Sequence, residues 1–297
     1  LTSDGNWSWA NRVGTSAWSE GYGLVVDPAG NHFVTGYFYG SSNFGSTRLS
    51  SSGWYDGYLG KRDSEGNWLW AKKFGSSSSD FGIDVDIDPE GNLVHLGDFK
   101  NTISLGGSTL VSKGGGDLNG KGDFVIGKLD GNGSWIWAKR AGSTGAERGT
   151  SIVTDQHGSV YLTGYYSGSA DFGSTTLANS GGLDGVVAKL SSQGDWKWAL
   201  PVNGSNDVSA RHLEFLPSGN LLLAGTFEGV ITIGSNTITS VGGNDIFIAE
   251  LTPGGQWLSA LRYGGTGNDY VTLTRNSSGD VFWGGYYSDG FAFNGQT

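Results

Sequence analysis

Three carboxylates are the residues best placed by type and spacing to do chemistry. Asp84 and Asp86 alternate along one strand, and Glu214 takes the matching position in another, next to His212. Two carboxylates held about 5–10 Å apart can flank a glycosidic bond, one as acid and the other as base or nucleophile. The competing reading leaves these side chains solvated along a channel, and nothing beyond their types favours catalysis. The expectation is that the chain is not an enzyme, with a polysaccharide-active glycosidase as an alternative. A second set of acids, Glu20, Asp80, Glu147, Asp207 and Asp269, precedes a strand in each repeat. As a ring they would attract a cation such as Ca²⁺; singly, each would accept backbone N–H bonds and order its own loop. Recurrence in every repeat favours the second reading. No cofactor is expected, and Ca²⁺ is the one candidate ion. The run Asp84–Asp88 superficially suggests a calcium loop, but Pro89 stands where an EF-hand needs Gly, and the apolar alternation reads as strand. The four His do not have metal-ligand spacing. A third set follows the glycine of the second strand in each repeat: Tyr37, Asp98, Tyr165, Thr226 and Tyr286. If these face outward, Tyr37, Tyr165 and Tyr286, with Asp98, are candidates to contact a ligand, the rings stacking on sugars.

The elements that must position these residues repeat along the chain. The motif W-x-W-A occurs at 7–10, 68–71, 135–138 and 196–199, with a decayed copy at 257–260. One interval is longer because the second repeat carries a Gly-rich insertion around Gly114–Gly122. Each unit reads as four short strands. In the first complete one they are Tyr22–Asp27, His32–Phe38, Gly57–Lys61 and Trp68–Phe74. Tight turns at Asp27–Asn31 and Asp63–Asn67 join the first strand to the second and the third to the fourth, and a long polar loop joins the second to the third. No segment shows a capped 3.6-residue period. Trp side chains at i and i+2 share one face of a strand and would seal the gap to the neighbouring unit. An apolar residue followed by small ones, as in Phe44–Thr47, Leu105–Ser108, Phe172–Thr175, Ile233–Asn236 and the partial copy Phe293–Gly295, would anchor each long loop.

Four strands repeated about five times predict an all-β fold, a five-bladed β-propeller with four-stranded antiparallel blades. The expectation is a single domain over 1–297, with units at about 14–74, 75–141, 142–202, 203–263 and 264–297. Residues 1–13 would complete the last unit, so that pairing of the N- and C-terminal segments closes the last blade. The segments at 27–37, 88–97 and 155–165, with the flanking W-x-W-A and G-x-x-D-G-x-x-x-K-L patterns, resemble the bacterial SBBP β-propeller repeat. That resemblance implies a propeller and a secreted or cell-surface bacterial protein, and no particular activity.

Composition bounds the partners. The chain has 297 residues, 54 of them Gly and twelve Trp, with 15% charged residues and a net charge of −10. High aromatic content opposes disorder. The acidic balance without a Lys/Arg cluster opposes nucleic acid. No apolar run is long enough for a membrane-spanning helix, and without Cys there is no disulfide or thiolate site. The long second-to-third loops all fall on one face of a propeller, where function usually lies. The expected role is therefore an extracellular binding, adhesion or scaffold module taking a glycan or protein on that face. The alternatives are a strict lectin, and a surface-filament subunit that self-assembles through its incomplete last blade.

Overall fold

The computed structural model describes residues 4–10, 18–114, 122–276 and 278–288. All the regular structure among them is β, in strands that alternate with tight turns. The chain divides into two compact units: Leu1–Ala141 with Thr154–Val160 and Ser192–Gly194, and Gly142–Val153 with Tyr161–Ser191 and Asp195–Thr297.

The first unit holds two repeats. β1 (Ser19–Val26), β2 (His32–Phe44), β3 (Thr47–Arg62) and β4 (Trp68–Phe74) form a four-stranded sheet in sequence order. β5 (Phe81–Ile87) and β6 (Leu93–Phe99) lead into a small separate hairpin, β7 (Thr102–Leu105) and β8 (Ser108–Val111). The chain then returns as β9 (Asp123–Leu129) and β10 (Trp135–Gly142), giving the order β5-β6-β9-β10. The core of this unit is built from inward side chains such as Phe33, Leu59, Phe74, Leu93, Phe99 and Val125, all buried. Each is worth about 1.5–3 kcal/mol of burial.

The second unit follows the same plan. β11 (Glu147–Thr154), β12 (Val160–Tyr166), β15 (Asp184–Leu190) and β16 (Trp196–Gly204) pair in order, with the hairpin β13 (Ala170–Phe172) and β14 (Thr175–Leu177) between β12 and β15. β17 (Val208–Phe215), β18 (Leu221–Phe227), β21 (Asp245–Leu251) and β22 (Trp257–Tyr263) form the next sheet. Its intervening hairpin, β19 (Val230–Ile233) and β20 (Asn236–Thr239), does not stay with its own repeat. It pairs with the outer strand of the preceding one, Asn203 opposite Thr232 and Gly204 opposite Ile231. The last repeat contributes β23 (Tyr270–Arg275) and β24 (Val281–Tyr286).

Short motifs explain why these elements form. In the turn at 27–31, Gly30 N–H donates to Asp27 O (2.9 Å), and Asp27 Oδ1 accepts from Ala29 N–H and Asn31 N–H. Gly30 has φ +80, which glycine adopts without strain. The same Asp-centred turn recurs at Asp88, Asp130 and Asp155. The two Trp of each W-x-W have different tasks. The first lies over a small residue of its own third strand: a Cβ on Gly60 would stand 2.3 Å from the Trp68 ring, and one on Gly127 2.2 Å from Trp135. The second reaches the following turn, with Trp70 Nε1 donating to Gly131 O (3.1 Å) and Trp137 Nε1 to Ser192 O (3.0 Å). Trp9 does the same, donating to Ser64 O at 2.9 Å.

The structure differs from expectation in two places. The first repeat's long loop is not separate from its strands; β2 and β3 continue as one hairpin to Phe44 opposite Thr47. The Gly-rich insertion lies mostly outside the described residues. So do residues 1–3 and 11–13 of the segment expected to complete the last sheet, and the partial loop copy at 293–295, while residues 4–10 form no strand, which is the second difference.

Candidate functional site

Sheet register sorts the recurring acids into different environments. Asp80 stands one residue before Phe81, which pairs with Asp98, and Asp269 one before Tyr270, which pairs with Tyr286. These two positions are equivalent, and both carboxylates are buried. Asp80 Oδ2 accepts from Ser76 N–H (2.6 Å) and Oγ (3.0 Å), and Oδ1 from Lys100 N–H (2.8 Å). Asp269 accepts from Gly265 N–H at 3.0 Å. Glu147 is buried too and bonds Ser143 Oγ. Burial pushes the Asp80 carboxyl up to about 6.

Glu20 and Asp207 are out of step with that pair. Glu20 sits directly opposite Tyr37, one residue later in the register, and Asp207 one residue earlier, before Val208 opposite Phe227. A one-residue slip turns a side chain to the other face of a strand. Asp207 is accordingly exposed, and bonds Leu183 N–H at 2.8 Å. The five acids therefore do not form equivalent rungs of one ring. Among the described residues, no three His, Asp or Glu side chains converge to hold a metal ion.

A further set of buried aspartates recurs in four repeats: Asp123, Asp184 and Asp245 open the third strand, and Asp56 lies within the longer β3. Each accepts backbone N–H groups from the loop before it, as Asp56 does from Ser52 (2.9 Å) and Asp245 from Val241 (3.0 Å). Three also meet a cation from the fourth strand: Lys73 on Asp56 at 2.9 Å, Arg140 on Asp123, and Arg262 on Asp245 at 2.5 Å. The third repeat has Pro201 at that position, and Asp184 bonds Gly204 N–H instead. The regular spacing of these aspartates was the available signal; their charge partners lie five residues after the first Trp of each motif.

The glycosidase candidates each have partners of their own. Asp86 Oδ2 accepts from Thr154 N–H (2.6 Å) and Oγ1 (2.8 Å), and lines a depression of about 570 Å³ beside the turns at 27–29 and 88–91. Asp84 Oδ1 accepts from Val85 N–H. Glu214 faces Arg275 at 3.9 Å, and burial with the Arg211 charge holds the half-buried His212 below the usual imidazole range.

Of the ligand-contact candidates, Tyr37 and Asp98 are buried, Tyr165 is half-buried and Tyr286 is exposed. Tyr37 packs between Tyr55 and Phe81, with both ring centroids at 5.0 Å. It forms the floor of an aromatic basin in the first unit. The rim is Trp18 (63% exposed), Tyr22 (48%), Tyr39 (45%) and Trp54 (69%). Tyr39 and Trp54 stack at 6.0 Å and 25°, and Tyr39 N–H bonds Trp18 O. Glu20 stands in the basin and accepts from Trp18 Nε1 at 3.0 Å. Hydrogen bonds from Trp18, then Tyr37 and Tyr22, hold its carboxyl below the usual range. Burial and that carboxylate push the Tyr37 phenol up. Taking about 200 Å² per aromatic side chain, the rim exposes roughly 450 Å². Contiguous apolar patches of this size on a monomer are often functional. Trp18, Tyr39 and Trp54 escape a search for recurring positions because they are peculiar to this repeat. Trp54, two residues before Asp56, has Gly182 and Gly243 as its counterparts.

No family model matches the chain. It is 24% identical over 212 residues, 62% of its length, to an uncharacterized WD repeat-containing protein of Acanthamoeba polyphaga mimivirus, and spans 15% of that protein. A solved protein of unknown function from Bacteroides caccae aligns over 82% of both chains at 11% identity and a TM-score of 0.39. Successive antiparallel sheets of four to six strands, together with the WD-repeat likeness, make this a β-propeller-like repeat protein.

Proposed function

We propose that the chain is a non-enzymatic binding or scaffold module, a five-bladed propeller that takes a glycan on the aromatic basin of its first repeat. The observation that carries this reading is the stacked, exposed Tyr39–Trp54 pair beside the Glu20 carboxylate. Flat apolar rings with polar edges suit the C–H faces of a sugar, and a carboxylate with depressed pKa accepts its hydroxyl hydrogens at neutral pH. The repeat acids support the same role in another way. Buried carboxylates at Asp56, Asp80, Asp123 and Asp245 order the long loops, so the surface they display is preorganised. The fifth blade would be built from β23, β24 and the segment around Trp7–Ala10, whose Trp9 docks on the next turn as fourth-strand Trp residues do. A secreted or cell-surface setting fits the repeat resemblance.

The test is a glycan-array screen of the intact chain with and without Ca²⁺, repeated for Trp54→Ala, Tyr39→Ala and Glu20→Gln. Binding that is lost in both aromatic variants and weakened in the Gln variant supports the basin. A broad array with no hits from folded protein overturns the glycan reading. Because exposed Trp and Tyr also anchor protein interfaces, that result would favour a protein ligand.

A further inference from the structure

The first repeat carries an acid where the second, fourth and fifth carry none. Glu20 lies opposite Tyr37, and the residues at that register position in those repeats are Phe81, Ser209 and Tyr270. The loop-ordering position, held by Asp80 and Asp269 one residue earlier, belongs here to Ser19. Glu20 is thus relieved of that task. Its hydrogen bonds come from side chains of the basin, Trp18 Nε1 at 3.0 Å together with Tyr37 and Tyr22, and they keep the carboxylate ionised. Among the described residues no Lys or Arg pairs with it. Three cations of the same sheet are taken elsewhere: Lys61 lies over the Phe33 ring (4.8 Å), Arg62 over Trp68 (4.1 Å), and Lys73 on Asp56 (2.9 Å).

We infer that the basin selects a saccharide bearing a protonated amino group, such as a chain of 2-amino-2-deoxy sugars, whose ammonium meets the Glu20 carboxylate while a ring of the chain lies on Tyr39 and Trp54. The inference rests on the glycan reading of the basin and narrows its ligand class. Charge complementarity carries it. A carboxylate without a cation of its own is a ready acceptor for a charged N–H donor, and such bonds are about twice as strong as neutral ones. The surrounding rings add to the same preference, because an aromatic face attracts a cation. They run without a break from the partners of Glu20 to the stacked pair: Tyr22–Tyr37 at 5.6 Å, Tyr37–Tyr55 at 5.0 Å, Tyr55–Tyr39 at 6.0 Å and Tyr39–Trp54 at 6.0 Å between centroids. One oligosaccharide can therefore engage the carboxylate and the stacking pair together. A neutral sugar gains the stacking and loses the charge pairing. A uronic acid meets like charge at Glu20, on a chain whose net charge is −10. N-acetylation removes the ligand's charge and leaves the rest of the sugar in place, so it isolates the contribution of Glu20.

The experiment titrates a glucosamine tetramer, its fully N-acetylated form and a glucose tetramer of the same linkage into the intact chain, followed by calorimetry. At about pH 6.5 the amino groups are protonated and Glu20 is ionised. The glucosamine tetramer should bind about tenfold tighter than the other two at roughly 0.15 M salt. Glu20→Gln should bring the three affinities within about twofold of one another, and Tyr39→Ala should abolish binding of all three. Equal affinities in the wild type, or tighter binding of a neutral tetramer, overturn the inference and leave the glycan reading standing. A glucosamine preference that survives Glu20→Gln or Tyr39→Ala also overturns it, since the acidic chain then attracts the ligand without the basin. Failure of all three tetramers to bind overturns it too, and the array screen then decides the glycan reading separately.

Discussion

The strongest quantitative consequence of the buried acids concerns Asp80. Its carboxyl is pushed up to about 6 from an ordinary 3.8, chiefly by burial, with the charge of Asp56 adding to it. Below about pH 3.8 the folded and unfolded chains both hold the proton. Between that point and about pH 6 the unfolded chain has released it while the folded chain keeps it, so stability falls as pH rises through this window. Two pKa units at 1.36 kcal/mol each give a loss of about 3 kcal/mol, complete above pH 6. Asp80→Asn cannot ionise. At about pH 4 it is the less stable protein by about 1–3 kcal/mol, because its amide NH₂ replaces one oxygen that accepts from Ser76 or Lys100. On moving to about pH 7 the wild type loses its 3 kcal/mol and the variant does not, so the gap closes or reverses. Urea titrations followed by Trp fluorescence across this range give the difference at each pH. A gap that stays flat, or widens as pH rises, would refute the claim that burial controls this carboxyl.

Other perturbations have equally definite signs. His95 is fully buried against Phe74 and Trp135, and burial holds its imidazole down to about 3. The folded chain stays neutral while the unfolded chain takes up a proton below about pH 6.5, so stability is lost as pH falls from there towards 3. His95→Leu should remove that acid-side loss, seen as a flatter urea midpoint between about pH 6 and pH 4. Arg262→Ala leaves the buried Asp245 without its cation and should cost about 3 kcal/mol in the same urea assay. Gly60→Val drives a side chain into the Trp68 ring and should cost about 1–3 kcal/mol, whereas Ala at Gly91 meets open space and only the strain of its positive φ, so its thermal midpoint should fall less.

Much of the fold was legible because turn chemistry is local. The D-x-x-G-N signature marks the turn of a hairpin, and the fourth strand Trp68–Phe74 appears where the sequence puts it. β3 begins earlier than expected because Ser, Thr and Gly in the first long loop read as turn formers, yet pair as a ladder once Phe44 and Leu49 are packed together. The site was less legible. Strand residues differing by one position share a composition but not a face, so Glu20 and Asp207 look like Asp80 until the cross-strand partners are known. Tyr37 could not be told from an exposed stacking residue, because what covers it, Tyr55 and Phe81, comes from the distant loop and the next repeat. The rim residues Trp18, Tyr39 and Trp54 stand where the repeat is broken rather than kept, so only its departures point to them.

The hairpin β19–β20, borrowed by the sheet of the preceding repeat, bears on how the array melts. Linear repeat arrays behave as chains of units coupled to their neighbours, and the coupling decides whether they unfold singly or together. Here the third repeat's outer strand finishes its ladder with residues of the fourth, Asn203 with Thr232 and Gly204 with Ile231. Loss of the fourth repeat would strip an edge from the third, so damage at one spreads to the other and the pair gives up its structure in a single step.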